Sequence, residues 1–581
     1  MRVRRDGIRK RRKGAGARRS QRVPENDEPL DTAISPAGTS LIGPSARLPS
    51  PTLSRPDSHG DRGPGAHRPM AFVSPSTVMS YDASRQQSEI VGGHPQSRGI
   101  KAAILDLTEA NVLPRPVLLE ALTDVYFKHV YPFYPVVEKD DLVDPEPSLL
   151  LQQSVCLAGS LVLHDPESVK LCHAQYEKVK TLIYLNFEDD TLALLKTLCL
   201  MTCYSVLSTD QVTFDGPWHW LGMAIRLALQ MGLHHSSTYD RHINPGCLRR
   251  IFWQLVYSDR LAACCWGRPL ALRLQDYDIA PLDAKDFAVI STEPYVLPEA
   301  LKLSDTMTMI VEINNGQSPL NQETTTAIVA RLCDWIQNLP EELLLYDSLG
   351  RRRPFYRPAC DLHITYFVVI ILLQLAGKQA KRSCIAASSL TASYCIARLY
   401  EEIHCREETA RLIQIHGFFC MVAAVPLICC PRQPQEDGLA RDEALGMIRQ
   451  VLGRMKTRYG GSDLVLRKIS RLENDVKKET EHGIHDQPST GEGASMWATA
   501  SIRNRLDELF PFPSSFCRHV DFSDVEGTNH AGQPRTDTES ILEISPGNDL
   551  NLADIPILDY NLFKMPDDEA FSFSSGDLPC A

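Results

Sequence analysis

The chain has 581 residues, a formal net charge of −11, 43% hydrophobic residues and 17 cysteines. That length holds two or three average domains, or one large helical domain with tails, and the apolar content suffices for a sizeable core. No apolar stretch follows the amino-terminal charges. The longest apolar runs, "ITYFVVIILLQLAG" and "GFFCMVAAVPLICC", fall short of a roughly 18-residue span, which argues against a secretory signal or membrane segment.

Charge is unevenly spread along the chain. Residues 1–23 are basic and open with "RRDGIRKRRK", in which Arg9, Lys10, Arg11, Arg12 and Lys13 are candidate nuclear-import residues or phosphate contacts. A solvated tail is the plainer alternative. Residues 24–105 form a Pro/Ser/Gly-rich linker without apolar periodicity, expected to be disordered because it cannot bury enough surface to offset its ordering entropy.

Order is expected to begin near "LLEALTDVYFKHVYPFYPVVEKDDLV", where Leu118, Leu119, Leu122, Val125 and Tyr126 keep helical spacing and Pro132 and Pro135 end the helix. Apolar-periodic segments then recur near 150–163, 168–184, 191–208, 217–232, 247–265, 298–314, 322–338, 360–377, 384–404, 409–430 and 440–457. Strand-like alternation is scarce and no repeat period is fixed. The prediction is a large all-α domain over residues 106–475. The scattered or vicinal cysteines suit reduced thiols of an intracellular core.

Two segments carry most information. In "DGPWHWLGMAIRLALQMGLHHSS", Asp215 or Gly216 can cap a helix that Pro217 begins. Trp218, Leu221, Ile225, Ala228 and Leu229 would share a face, Gly222 and Ala224 would admit a close neighbour, and Gly232 would supply a left-handed cap. In "CLRRIFWQLVYSDRLAACCWGRPLALRLQDYDIAPL", Leu248, Phe252, Leu255, Val256 and Leu261 build an apolar face beside Trp253. Asp259 sits among them, and an ion pair with Arg268, after the breaker Gly267, is expected to pin the next loop.

Together with "YFKHVYPFYPVVEKDDL" and "LCDWIQNLPEEL", these segments resemble the fungal-specific transcription factor domain, or middle homology region, from about residue 118 to 340. The opening motif further resembles the cutinase transcription factor branch, which responds to fatty-acid or cutin-derived signals. The resemblance makes Trp218, Gly222, Gly232, Arg250, Trp253, Asp259, Arg260, Gly267, Arg268 and Pro269 the family-motif residues, with a structural role. It implies a nuclear regulator of RNA polymerase II transcription that forms homo- or heterodimers and is open to a small-molecule effector.

Members of that family usually carry an amino-terminal six-cysteine cluster binding two zinc ions. Here the first cysteine is Cys156 and no paired ligand spacing occurs, so no cofactor is expected in this chain. Zinc and direct DNA contact are expected only if an upstream cysteine cluster is restored, or else DNA is reached through a partner. The basic segment is accordingly either the stretch that trails a sixth cysteine or part of a paralogue that lost the module.

Residues 476–520 read as a linker with a short helix, "ATASIRNRLDELFPF". Residues 521–581 hold thirteen Asp or Glu against one Arg and one Lys, with Ile557, Leu558, Tyr560, Leu562, Phe563 and Phe571 set among the acids. Acids that keep apolar side chains exposed to coactivator grooves are the pattern of an activation tail; solubilising disorder is the alternative. His234, His235, His242 and Cys247 lack fixed metal spacing and read as loop residues, and Glu188, Asp189 and Asp190 as a helix amino terminus. No GxSxG, P-loop, dinucleotide or DDxxD motif is present, so an enzyme is the least favoured class. A helical co-regulator or scaffold that does not bind DNA is the main rival.

Overall fold

The computed structural model describes residues 71–74, 77, 95–143, 145–163, 167–205, 212–287, 296–376, 387–430, 438–481 and 505–517, all within one compact unit. Arg9, Lys10, Arg11, Arg12 and Lys13 lie outside the described residues, as do Ile557, Leu558, Tyr560, Leu562, Phe563 and Phe571.

The architecture is all-α, with no strand among the described residues. The helices are α1 Pro95–Thr108, α2 Pro116–His129, α3 Leu149–Leu161, α4 Ser168–Tyr184 and α5 Thr191–Met201. Next come α6 Pro217–Gln230, α7 Pro245–Trp266, α8 Val296–Asn314, α9 Gln322–Gln337 and α10 Arg357–Gln374. Then follow α11 Ala387–Cys405, α12 Ile415–Cys429, α13 Gly438–Met455, α14 Gly460–Glu481 and the single turn α15 Leu506–Leu509.

Their starts follow local chemistry. Ser148, Asp190, Asn244 and Asn321 each accept a hydrogen bond from a backbone N–H of the following turn, opening α3, α5, α7 and α9. Proline occupies the first turn of α2, α6, α7 and α10, where a missing N–H has no helical partner to lose. Gly267 ends α7 at φ +61°, and Gly232 follows α6 at φ +77°.

In the first half, α3 packs against α2, α4 and α5; Gly159 lets α2 approach so closely that a Cβ there would lie 2.2 Å from the Leu122 carbonyl oxygen. In the second half, α10 is enclosed by α8, α11 and α12, and α12 also meets α13, α14 and α7. Every residue of α10 is buried, as expected of a helix apolar all round. By length and composition it could cross a bilayer, but here other helices surround it.

Four details differ from the sequence reading. Helix α1 lies in the stretch taken as linker, and so does Phe72, whose N–H bonds the Gln230 carbonyl while its ring packs on His234 and His235. The 505–517 segment, also read as linker, buries Leu509, Phe510, Phe516 and Cys517 in the same core. The inner face of α6 is Trp220, Leu221, Ala224, Ile225 and Ala228, whereas Trp218 is 50% exposed and Leu229 half-buried. Gly222 has no atom within 4 Å of its would-be Cβ; the close approaches occur at Gly159 and Gly246 instead.

Candidate functional site

One of the family-motif residues, Arg250, centres a charged clip that joins the α2–α3 connection to α7. After α2 the chain turns through "VYPFYPVV", tied by the Tyr126 hydroxyl donating to the Tyr134 carbonyl (2.9 Å), with Val136 and Val137 fully buried. This turn delivers Glu138 and Asp141 to α7 and α5. Arg250, fully buried on α7, donates to the Pro135 carbonyl (2.9 Å), to the Asp286 carbonyl and to Glu138 (2.7 Å). Asn244 also donates to Glu138 (2.6 Å), Arg249 pairs with Asp286 (2.5 Å) and Lys196 with Asp141 (2.7 Å). Gly246 sits against the Asp286 backbone, where a Cβ would meet the carbonyl oxygen at 2.9 Å.

Further along α7, Asp259 accepts from the N–H groups of Ala271 (2.8 Å) and Leu272 (2.9 Å). Burial pushes its carboxyl up from the usual range, and those two N–H bonds act the other way. Asp259 therefore pins the loop through backbone, which corrects the expected ion pair with Arg268. The Arg268 guanidinium instead stacks over Trp218 (4.6 Å) and, more distantly, Trp266 (6.0 Å), and Pro269 is exposed beyond it. A backbone N–H satisfies a buried carboxylate without bringing a second charge out of water, so Arg268 can remain near the surface.

Trp253 donates its ring N–H to the Ala280 carbonyl (2.9 Å) and packs edge-on to Tyr277. Arg260, also buried, reaches Asp305 at 3.2 Å, and Arg331 holds the other oxygen of that carboxylate. Gly232 is hemmed by Phe72 and Thr238 as well as left-handed.

A second charged centre was not anticipated. Arg357 on α10 pairs with Asp361, donates to the His129 carbonyl (2.7 Å) and lies 3.8 Å from Glu408. Arg411 binds the other Glu408 oxygen, while His416 on α12 sits 3.5 Å from Asp361 and 3.1 Å from the Tyr400 hydroxyl. Burial raises the Asp361 carboxyl to about 6, with Arg357 opposing the rise. Burial lowers His416 to about 3, and Arg357 adds to that. His129 is likewise lowered to about 3 by burial, then by Arg411 and Arg357. The legible signal is Asp361 and His416, a carboxylate and a histidine inside the apolar runs "DLHITYFVVII" and "IHGFFCMV" that otherwise read as plain core.

In the clip each charge is spent on backbone or on an opposite charge, which gives rigidity rather than a reacting pair. Among the described residues no three His, Cys, Asp or Glu side chains converge as metal ligands. His234 and His235 pack on Phe72, His242 accepts from the Asn244 N–H, and Cys247 turns inward toward the Val136 carbonyl. Asp190 caps α5, and Glu188 accepts from Ser148 and from the Asp190 N–H.

Comparison with known proteins gives this arrangement a context. Residues 123–356, which contain the whole clip, match the family model "Fungal specific transcription factor domain". The acetamidase regulatory protein of Aspergillus fumigatus is 31% identical over 286 residues, 46% of this chain and 36% of that protein. The Aspergillus oryzae counterpart is 28% identical over 51% of this chain and 40% of its own length. Cutinase transcription factor 1 alpha of Fusarium vanettenii is 27% identical over 344 residues, 52% of this chain and 37% of that protein. The matched region thus spans well under half of each of these relatives. Over residues 123–356 the chain therefore carries a match to the fungal-specific transcription factor domain.

Proposed function

We propose that this chain is a fungal regulator of RNA polymerase II transcription in which the helical domain is the regulatory body and residues 521–581 are the activating segment. The observation that carries this reading is the domain match over 123–356, within which Arg250 centres a buried clip. Two relatives are named for acetamidase and cutinase regulation, and in this reading the targets are genes for lipid, cutin or other carbon sources. In this reading the protein works without catalysis. Its partners are coactivators at the acidic tail and a second copy or related subunit, and a small effector is accommodated between helices. The basic residues Arg9–Lys13 direct it to the nucleus.

The chain's cysteines offer no zinc-cluster spacing, so DNA contact would come through a partner or an added cysteine module, and zinc belongs to that module. The same observation favours a second reading, a co-regulator that never touches DNA itself.

Fusing the full chain to a heterologous DNA-binding domain should raise a reporter at least several-fold, and deleting 521–581 should abolish the rise. A reporter that does not respond to the intact fusion overturns the activating assignment. Replacing Arg9, Lys10, Arg11, Arg12 and Lys13 with Ala should move a fluorescent fusion out of the nucleus; unchanged nuclear signal would remove the import role.

A further inference from the structure

The segment 505–517, "RLDELFPFPSSFC", lies in an aromatic groove made by α10, α11 and the turn around Tyr346, with α15 against α9. Phe510 stacks on Phe367 (6.1 Å between centroids), Phe512 packs on Phe367 and His363, and Phe516 on Phe367 and Tyr346. Three side-chain bonds grip its backbone. The Tyr366 hydroxyl donates to the Leu509 carbonyl (2.7 Å), and Arg398 donates to the carbonyls of Ser515 (2.5 Å) and Phe516. At its end the Cys517 sulfur touches the Cys395 sulfur of α11 at 3.5 Å, with both residues buried.

We propose that residues 505–517 are a detachable latch on the helical domain, and that Cys395 and Cys517 are a redox pair which a peroxide oxidant closes into a disulfide. The latch has one helical turn of its own and otherwise depends on tertiary contacts, so it can leave without unwinding α9, α10 or α11. Its backbone is bonded to the helices by two side chains, Tyr366 of α10 and Arg398 of α11, whereas α10 and α12 pack along their length against several neighbouring helices. Burial keeps the Cys395 thiol well above its usual range while the latch is shut, so that thiol is protonated and unreactive.

Release exposes both thiols. One thiolate then attacks hydrogen peroxide, forming a sulfenic acid and releasing hydroxide, which takes up the proton lost by the thiol. On re-docking, the other thiol attacks the sulfenic sulfur; the S–S bond forms and water leaves. The two thiols lose two electrons and the peroxide becomes two waters. The base of the carboxy-terminal segment is then tied covalently to α11, and a dithiol reductant frees it. This device operates whether or not residues 521–581 activate transcription.

The test is residue-resolved thiol labelling of the full native chain with iodoacetamide, read by mass spectrometry. Cys395 and Cys517 should label together, at least tenfold faster than the equally buried Cys420 and Cys360, and Arg398→Ala should speed both further. Hydrogen peroxide should produce a Cys395–Cys517 cross-linked peptide that protects both from labelling and disappears with dithiothreitol. Labelling of the pair no faster than Cys420 overturns the latch. Peroxide treatment that yields other pairings or sulfinic acid in place of that peptide overturns the redox pair. The wild-type measurements decide both points, and Cys517→Ser should retain the wild-type unfolding midpoint while losing the cross-link.

Discussion

Arg250 is among the largest fully buried side chains of the described residues, and it holds three acceptors from two separate chain segments, the 135–138 turn and Asp286. Its value follows from what its removal leaves behind: two carbonyls without this donor and a Glu138 carboxylate left with Asn244 and no opposite charge. Arg250→Met should cost on the order of 3–5 kcal/mol in urea unfolding. Arg250→Lys should recover only part of that, because a single ammonium cannot fan out to three directions as a guanidinium does. Asp259 teaches the complementary point. A carboxylate inside an apolar helix announces a partner, but spacing alone does not say whether that partner is a side chain or, as here, two loop N–H groups.

Among the helices, the glycines separate close packing from mere smallness. Gly159 and Gly222 both lie in helices and look alike in sequence. A Cβ at 159 would collide with the Leu122 backbone, while one at 222 would meet nothing within 4 Å. Gly159→Ala should therefore push α2 off α3 and destabilise by about 2 kcal/mol or more, as overpacking against backbone does. Gly222→Ala should stabilise by about 0.5–1 kcal/mol through helix propensity alone. Thermal or urea unfolding of the two variants checks both signs. Helix α6 shows the same limit: its period was legible, yet its buried face is centred on Trp220 and Ala224, because Trp218 turns outward to Arg268.

For the molecule as a whole, the Arg357 centre ties α2, α10 and α12, and it makes stability depend on pH. His129 and His416 fold neutral with values near 3 against an ordinary 6.5, so their contribution is full above pH 6.5 and drains away as pH falls toward 3. Asp361, held up to about 6 against 3.8, acts oppositely: the folded state gains as pH falls through 6. Two histidines with larger shifts outweigh one carboxyl. Stability should fall by about 2 kcal/mol between pH 7 and pH 5, and His416→Gln should flatten most of that slope. Urea titrations at the two pH values measure it, and a slope unchanged in the variant would assign the dependence elsewhere.

Sequence alone determined the all-α class and most of the helices from α2 to α13, because apolar spacing, proline starts and glycine stops are local and repeat at the helical period. It also placed Gly232 at a left-handed cap and Gly267 as a helix breaker, since such conformations are a property of one residue and its neighbours. Tertiary structure decided what lies between distant segments. It brought Glu138 to Arg250, more than a hundred residues on, and set His129 beside Arg357. It also returned Cys517 to Cys395 across residues that give no sign of it. Such pairings depend on which helices meet and at what angle, a sum of many weak packing terms that no single stretch of sequence contains.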